Sequence, residues 1–200
     1  MAVLATDNFN RANANPIGNP WTSAGDSTDF KILSNAVTPA NLNGDCSAFE
    51  NTVTWPNDQY SQVQVTTTGT KGSDIGFGPL VRGATGKNYY RLIIDAASSS
   101  NVALSKKING TYTNLWTRTN AFTSGDTIYL EMQGSTLIAK SNGTAIGASA
   151  TDTSLTTGKS GIAYSSDETN GSIDNWEGGD FAAAFAGDDS DAIWYVSKAA

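Results

Sequence analysis

The chain contains no histidine and a single cysteine, Cys46. Without an imidazole the usual general base is missing, and with it the Ser-His and Cys-His nucleophile pairs. One cysteine excludes an intrachain disulfide and a thiolate metal cluster, and Cys46 reads as a buried thiol rather than a nucleophile. Charge is sparse, at 16% of residues, and leans acidic: 12 Lys and Arg against 19 Asp and Glu give a net charge of −7. Such a surface repels a phosphate backbone, so nucleic acid is not an expected partner. Nowhere do about 18 apolar residues follow one another. The N-terminal MAVLATDNFN has neither a basic region nor a long apolar run. Membrane insertion and an export signal are therefore not expected.

Gly, Ser, Thr and Asn are plentiful instead, a composition suited to short strands joined by tight turns. The stretch from Gly125 to Gly147 shows the pattern best. Ile128, Leu130 and Met132 alternate with Tyr129 and Glu131, the period of a strand with one face buried and the other half-exposed. Gln133-Gly134-Ser135 reverses the chain, Leu137 and Ala139 alternate with Ile138 and Lys140, and Asn142-Gly143 supplies a second turn before a short strand over 144–148. Three strands in so short a span leave no room for a crossover helix, so the pairing should be antiparallel throughout.

The same pattern predicts an edge strand near Val3, then short strands at 30–33, 36–38 and 47–53. Longer ones follow at 60–68, 74–82, 88–96, 101–108 and 111–119, and the last at 159–164 and 172–177. In the strand at 88–96, Tyr90, Leu92 and Ile94 share one face, and Tyr89, Arg91 and Ile93 the other. Asn-Gly dipeptides at Asn43, Asn109, Asn142 and Asn170 are read as turns. Two hundred residues suit one large sandwich rather than two domains. After Gly178-Gly179, read as a flexible exit, the pattern stops: FAAAFA, an acidic DDSD run, then Ile193, Trp194, Tyr195 and Val196. We therefore divide the chain into a sandwich domain at 1–178 and a C-terminal arm at 179–200. Four large apolar residues at a chain end are costly to leave in water, so the arm is expected to dock on a neighbouring subunit or on the domain itself.

Several pieces, taken in order, resemble the concanavalin A-like lectin/glucanase superfamily, in its laminin-G-like jelly-roll branch found in phage and bacterial surface proteins. They are Asp7-Asn8-Phe9-Asn10-Arg11 with Gly18 and Trp21; Gly78 to Arg82 followed by Tyr90-Arg91-Leu92; Gly125 to Gly143; and Gly161-Ile162 leading to Ile173-Asp174-Asn175-Trp176-Glu177. The resemblance implies an all-β, two-sheet antiparallel jelly-roll sandwich, with Trp21 and Trp176 in its core. It implies no reaction, because each piece is a fold signature.

The glucanase branch cuts glycans with carboxylates spaced Glu-x-Asp-x-x-Glu, one protonating the leaving oxygen while another attacks or stabilises the sugar. The triplet does not occur here. Glu131 falls on the outward-patterned face of its strand and reads as a solvated carboxylate. The chain is accordingly expected to be non-enzymatic and to require no cofactor. Related jelly rolls hold a structural calcium where first and last strands meet, and the resemblance assigns that place to Asp7 and Asp174. The same two residues equally fit hydrogen bonds to turn backbones. Sugar binding calls for planar aromatics that stack on pyranose rings. Trp55, Tyr60, Tyr89, Tyr112 and Trp116 fall in turns or on the less buried faces and are the glycan-binding candidates.

Two functional readings follow. In the first the protein is a structural or adhesion component of a virus particle, a capsid-decoration or tail protein assembled in the host cytoplasm. Its partners are then virion proteins or its own copies, and cell-surface polysaccharide is a further ligand. That reading takes the domain as starting at its own Met with no export signal, and gives the arm a purpose. In the alternative the chain is a carbohydrate-binding module of a secreted bacterial protein and acts outside the cell.

Overall fold

The computed structural model describes residues 1–41, 44–70, 76–94, 101–165 and 169–181, and every regular element among them is a β-strand. In chain order these are β1 (Ala2–Asp7), β2 (Trp21–Ser23), β3 (Phe30–Leu33), β4 (Ala36–Pro39), β5 (Cys46–Glu50), β6 (Gln59–Thr70), β7 (Gly76–Ala84) and β8 (Asn88–Ile94). The second half adds β9 (Asn101–Ile108), β10 (Thr111–Thr119), β11 (Thr127–Gln133), β12 (Thr136–Ser141), β13 (Thr144–Ala145), β14 (Ala150–Thr151), β15 (Lys159–Ser165) and β16 (Thr169–Asp180). Among the described residues no helix is long and apolar enough to cross a membrane.

Two antiparallel sheets form the sandwich. A nine-stranded sheet runs β13-β12-β11-β6-β16-β4-β3, with β1 beside β16 and β14 beside β12. A seven-stranded sheet runs β10-β9-β8-β7-β15-β5-β2. The turns behave as their residues demand. Ser34-Asn35, Asn109-Gly110 and Asn142-Gly143 all have positive φ, the geometry that matches a two-residue hairpin to the strand twist. Asn170-Gly171 differs from expectation: it lies inside β16, where Gly171 pairs with Thr68.

Alternation within each strand builds the core. Val63 and Val65 of β6, Ile128, Leu130 and Met132 of β11, and Tyr90, Leu92 and Ile94 of β8 all point between the sheets. Trp21 and Trp176 meet edge-to-face there, with ring centroids 4.8 Å apart. Trp176 also donates its indole N–H to Ser61 Oγ at 2.9 Å, so its polar atom is satisfied in the interior. Cys46 is buried beside this core. Burial, reinforced by the charges of Asp26 and Asp45, pushes its thiol well above the usual range, which rules it out as a nucleophile at neutral pH.

The expected half-exposed faces are in fact covered. On β11, Tyr129 and Glu131 are buried alongside the core-facing row. Tyr129 stacks on Tyr60 at 5.2 Å, and Glu131 accepts a hydrogen bond from Lys140 Nζ at 3.0 Å. Glu131 is therefore a paired, buried carboxylate and not a solvated one. On β8, Tyr89 and Ile93 join Ala24, Phe49, Leu80 and Ala163 in a second apolar cluster. Because successive side chains on a strand point to opposite faces, this cluster lies on the outer face of the seven-stranded sheet.

Gly178 and Gly179 do not form an exit hinge. Both lie inside β16, paired on one side with Ser61 and Tyr60 of β6 and on the other with Ala5 and Val3 of β1. A Cβ on Gly179 would stand 2.2 Å from the Ala2 carbonyl oxygen and 2.5 Å from the Tyr60 ring. Here glycine answers to close approach. The strand ends at Asp180, two residues past the expected boundary, and Ile193, Trp194, Tyr195 and Val196 lie outside the described residues.

Candidate functional site

The outer face of the seven-stranded sheet carries a connected group of polar side chains. Register assembles it. β8 and β9 pair so that Tyr89 lies opposite Lys107 and Arg91 opposite Ser105, and β10 brings Tyr112 opposite Lys107 on the far side. Two acidic residues come from outside these strands: Asp26 from the connection between β2 and β3, and Asp45 from the residue before β5. Asp26 reaches this face because its loop is tied to the sheet, with Ala24 N–H donating to the Ser47 carbonyl at 3.0 Å.

Lys107 Nζ stands 2.5 Å from Asp26 Oδ1 and 3.2 Å from Asp45 Oδ2. Tyr89 donates its hydroxyl to Asp26 Oδ2 at 2.8 Å, and Ser47 Oγ donates to the same oxygen. Tyr89 has one proton and gives it to Asp26, so Tyr112, 2.8 Å away, donates to Tyr89. Arg91 sits over the Tyr112 ring, its guanidinium carbon 3.9 Å from the ring centroid, and Lys107 Nζ is 4.3 Å from the same ring. Arg91 bonds Ser105 Oγ through Nε and Ser165 Oγ through Nη2.

The electrostatics follow from this geometry. Burial alone drives the Asp26 carboxyl upward, but the hydrogen bonds from Lys107, Ser47 and Tyr89 outweigh it and hold the group below the usual carboxylate range. Burial likewise works against the Lys107 ammonium, and Asp26 reverses this and raises it. Burial pushes the Tyr89 and Tyr112 phenols up, so both stay protonated as donors. Asp26 and Lys107 are thus a committed ion pair. Asp45, Tyr112 and Ser165 are part-exposed.

The five aromatic candidates are scattered by the fold. Tyr89 and Tyr112 belong to this cluster, but Tyr89 is fully buried and contributes only its hydroxyl network. Tyr60 is also buried, on the nine-stranded sheet, and donates its hydroxyl to Glu177 Oε1 at 2.7 Å. Both correct the expectation of less buried faces. The hydrophobic pattern of each strand is right, but cross-strand neighbours cover the outward ring. Trp55 packs on Trp176 at 6.1 Å and donates to the Glu50 carbonyl, so it completes the core rather than a surface platform. Trp116 is half-buried on β10, beneath Arg118 and against Gly147. Sequence reading missed Asp26, Asp45, Arg91 and Lys107. The available signal was that Arg91 shares a face with Tyr89 in a strand otherwise built for burial.

Asp7 and Asp174 are brought near one another, as Asp7 pairs with Trp176 in the β1–β16 ladder. The two oxygens of Asp7 are already engaged. Oδ1 accepts from the Phe9 N–H at 2.8 Å and from Arg11 Nη1 at 2.6 Å, and Oδ2 accepts from the Trp21 indole at 2.8 Å. Asp174 accepts from the Asn175 N–H, and burial pushes its carboxyl up, with Asp7's charge adding to the rise. A polar groove of about 480 Å³ runs beside them, lined by Asp7, Asn8, Gln62, Asn175 and Glu177. Calcium takes six to eight oxygens. Among the described residues no three His, Cys, Asp or Glu side chains gather closely enough to hold a metal, and one of the two candidates is spent on Arg11 and Trp21. A calcium ion here would have to compete with Arg11 and Trp21 for the Asp7 oxygens.

No protein-family model matches the chain, and no curated protein does. Solved structures do. The carbohydrate binding module CBM66 from Bacillus subtilis superposes with a TM-score of 0.61 at 17% identity, over 78% of this chain and 93% of that one. The VIP36 exoplasmic/lumenal domain, bound to Ca²⁺ and Man3GlcNAc, gives 0.57 at 13% identity, over 90% and 95%. A Bacillus licheniformis β-glucanase gives 0.58 at 12% identity, over 87% and 96%. The chain therefore has the concanavalin A-like jelly-roll fold that its sequence resembles.

Proposed function

We propose that the protein is a non-catalytic carbohydrate-binding domain that acts outside the cell, and that its binding site is the outer face of the seven-stranded sheet. The observation that carries this reading is the Tyr112 ring, part-exposed and backed by Arg91 and Lys107, with the part-exposed Asp45 carboxylate beside it. An aromatic plane next to fixed donors and an acceptor is the arrangement that recognises a sugar ring and its hydroxyls. The fold shared with a carbohydrate-binding module and a lectin domain supports it.

Among the described residues, neither Asp26 nor Glu131 is placed to act as the acid for glycoside cleavage. A general acid must hold its proton near neutral pH, whereas Asp26 is held ionised by Lys107 and is sealed from solvent. Glu131 is locked to Lys140 on the other sheet. The particle reading has no counterpart among the structures named above, and the arm it drew on, residues 193–196, lies outside the described residues. Screening the protein on a glycan array tests the proposal. Binding is expected, and Tyr112→Ala should abolish it with the fold intact. Unchanged binding in that variant would move the site elsewhere.

A further inference from the structure

Two Asn-Gly turns among the described residues share one chemistry and differ in how they are held. Asn109-Gly110 closes the β9–β10 hairpin and Asn142-Gly143 the β12–β13 hairpin, and both asparagines are exposed with positive φ. An asparagine followed by glycine has an intrinsic reaction, in which the glycine nitrogen, unshielded by a side chain, attacks the side-chain amide carbon. The attack requires the asparagine side chain to turn back on its own main chain, so whatever anchors that side chain opposes it. Asn142 is anchored at both ends: its Nδ2 donates to Asp126 Oδ1 at 2.8 Å, and its Oδ1 accepts from the Thr127 N–H at 2.9 Å. Asn109 lacks such anchors. Among the described residues its side chain makes no hydrogen bond, and the Asn88 carboxamide holds only its backbone N–H, at 2.8 Å. The attacking Gly110 N–H is itself loosely held, by the Lys87 carbonyl at 3.4 Å.

We infer that Asn109 is a modification site, the place where this chain deamidates spontaneously, and that Asn142 is protected by Asp126 and Thr127. Water is the only co-reactant. The Gly110 nitrogen loses its proton and bonds to the Asn109 side-chain carbonyl carbon; the bond from that carbon to the amide nitrogen breaks, and this nitrogen takes up the proton and leaves as ammonia. Water then opens the cyclic imide. Opening at one carbonyl leaves aspartate; opening at the other leaves isoaspartate, whose main chain runs through the former side-chain carbon. Nothing is oxidised or reduced, and amide plus water become carboxylate plus ammonium. The change falls in the turn between Lys107 and Tyr112, which pair across this hairpin. It adds a negative charge there and, as isoaspartate, an extra main-chain carbon.

Incubation of the full chain in mild alkali, followed by tryptic peptide mapping with fragment-ion sequencing, tests this. Cleavage after Lys107, Arg118, Lys140 and Lys159 puts the two asparagines in separate peptides, 108–118 and 141–159. Conversion at Asn109 is expected to run about tenfold faster than at Asn142, the factor that two ordinary hydrogen bonds supply. In urea, where both turns are open, the two rates should converge. Asp126→Ala, with its folding checked by its melting temperature, should bring the rate at Asn142 toward that at Asn109. If that variant does not fold, the wild-type rates in buffer and in urea decide alone. Equal rates in the folded protein, or faster conversion at Asn142, overturn the inference. So does an Asn109 that converts in urea but stays intact in the folded chain, which would mean that the turn itself shields it.

Discussion

Lys107 and Asp26, 81 residues apart in the chain, meet at 2.5 Å on the outer face of the seven-stranded sheet. Neither side chain is appreciably exposed, at 5% and 0% respectively. Removing one partner of such a pair strands the other charge in the interior, which costs about 3–5 kcal/mol. Lys107→Met should therefore lower unfolding stability by roughly that amount, read by urea denaturation. Asp26→Asn should cost less, because the amide still bonds Ser47 and Tyr89. Equal and small effects would show that Asp45 alone suffices to hold Lys107.

The same pair sets an acid limit. Asp26 has a folded pKa below its unfolded value, so its contribution is present above the ordinary carboxylate value of about 3.9 and is lost as pH falls through the folded value. Lys107 is shifted upward, so its contribution is complete below its ordinary value and fades only in strong alkali. Stability should be flat between about pH 5 and 9 and fall steeply in acid. Thermal melts of the wild type and Asp26→Asn from strong acid up to about pH 9 check this, since the variant should lose part of the acid slope.

Asp174 has the opposite sign. Its carboxyl is raised by burial and by Asp7, so ionising it at neutral pH costs stability. Asp174→Asn is expected to leave the melting temperature at pH 7 unchanged or higher, and calcium against chelator should make no difference in either protein. A calcium-dependent rise that disappears in Asp174→Asn would assign a cation to this site after all.

β16 runs to Asp180, through Gly178 and Gly179. Deleting residues 182–200 should leave the melting temperature unchanged, because β16 and its pairings with β1 and β6 stay whole. Loss of self-association in size-exclusion chromatography would assign an assembly role to Ile193, Trp194, Tyr195 and Val196. By contrast Gly179→Ala, which drives a methyl into the Ala2 carbonyl and the Tyr60 ring, should destabilise by about 1–3 kcal/mol.

The sheets were legible because alternation is a local signal. Val63 and Val65, or Ile128, Leu130 and Met132, announce their face within a few residues, and Asn109-Gly110 announces its turn. Strands too short to alternate were not legible: β2 and β14 have three and two residues and exist through their partners β5 and β12. β16 was read short because register shifts at Ser172/Ile173 and Asp174/Glu177 break its period. The candidate site was largely hidden. Asp26, Asp45, Arg91 and Lys107 come from two loops and two strands, and nothing in the spacing of a single strand says that they converge. Exposure was the least legible quantity of all: Tyr60 and Glu131 carry the pattern of surface residues, yet each is covered by a neighbour across the ladder.

The antiparallel pairing of β1 with β16 places Ala2 opposite Asp180, at the same end of the ladder. Tension applied through these two ends would peel the strands apart one rung at a time rather than shear all rungs together. The seam between first and last strand is then the mechanical weak point of the sandwich, and a pull along the chain would detach β1 while the seven-stranded sheet and its polar cluster stay intact.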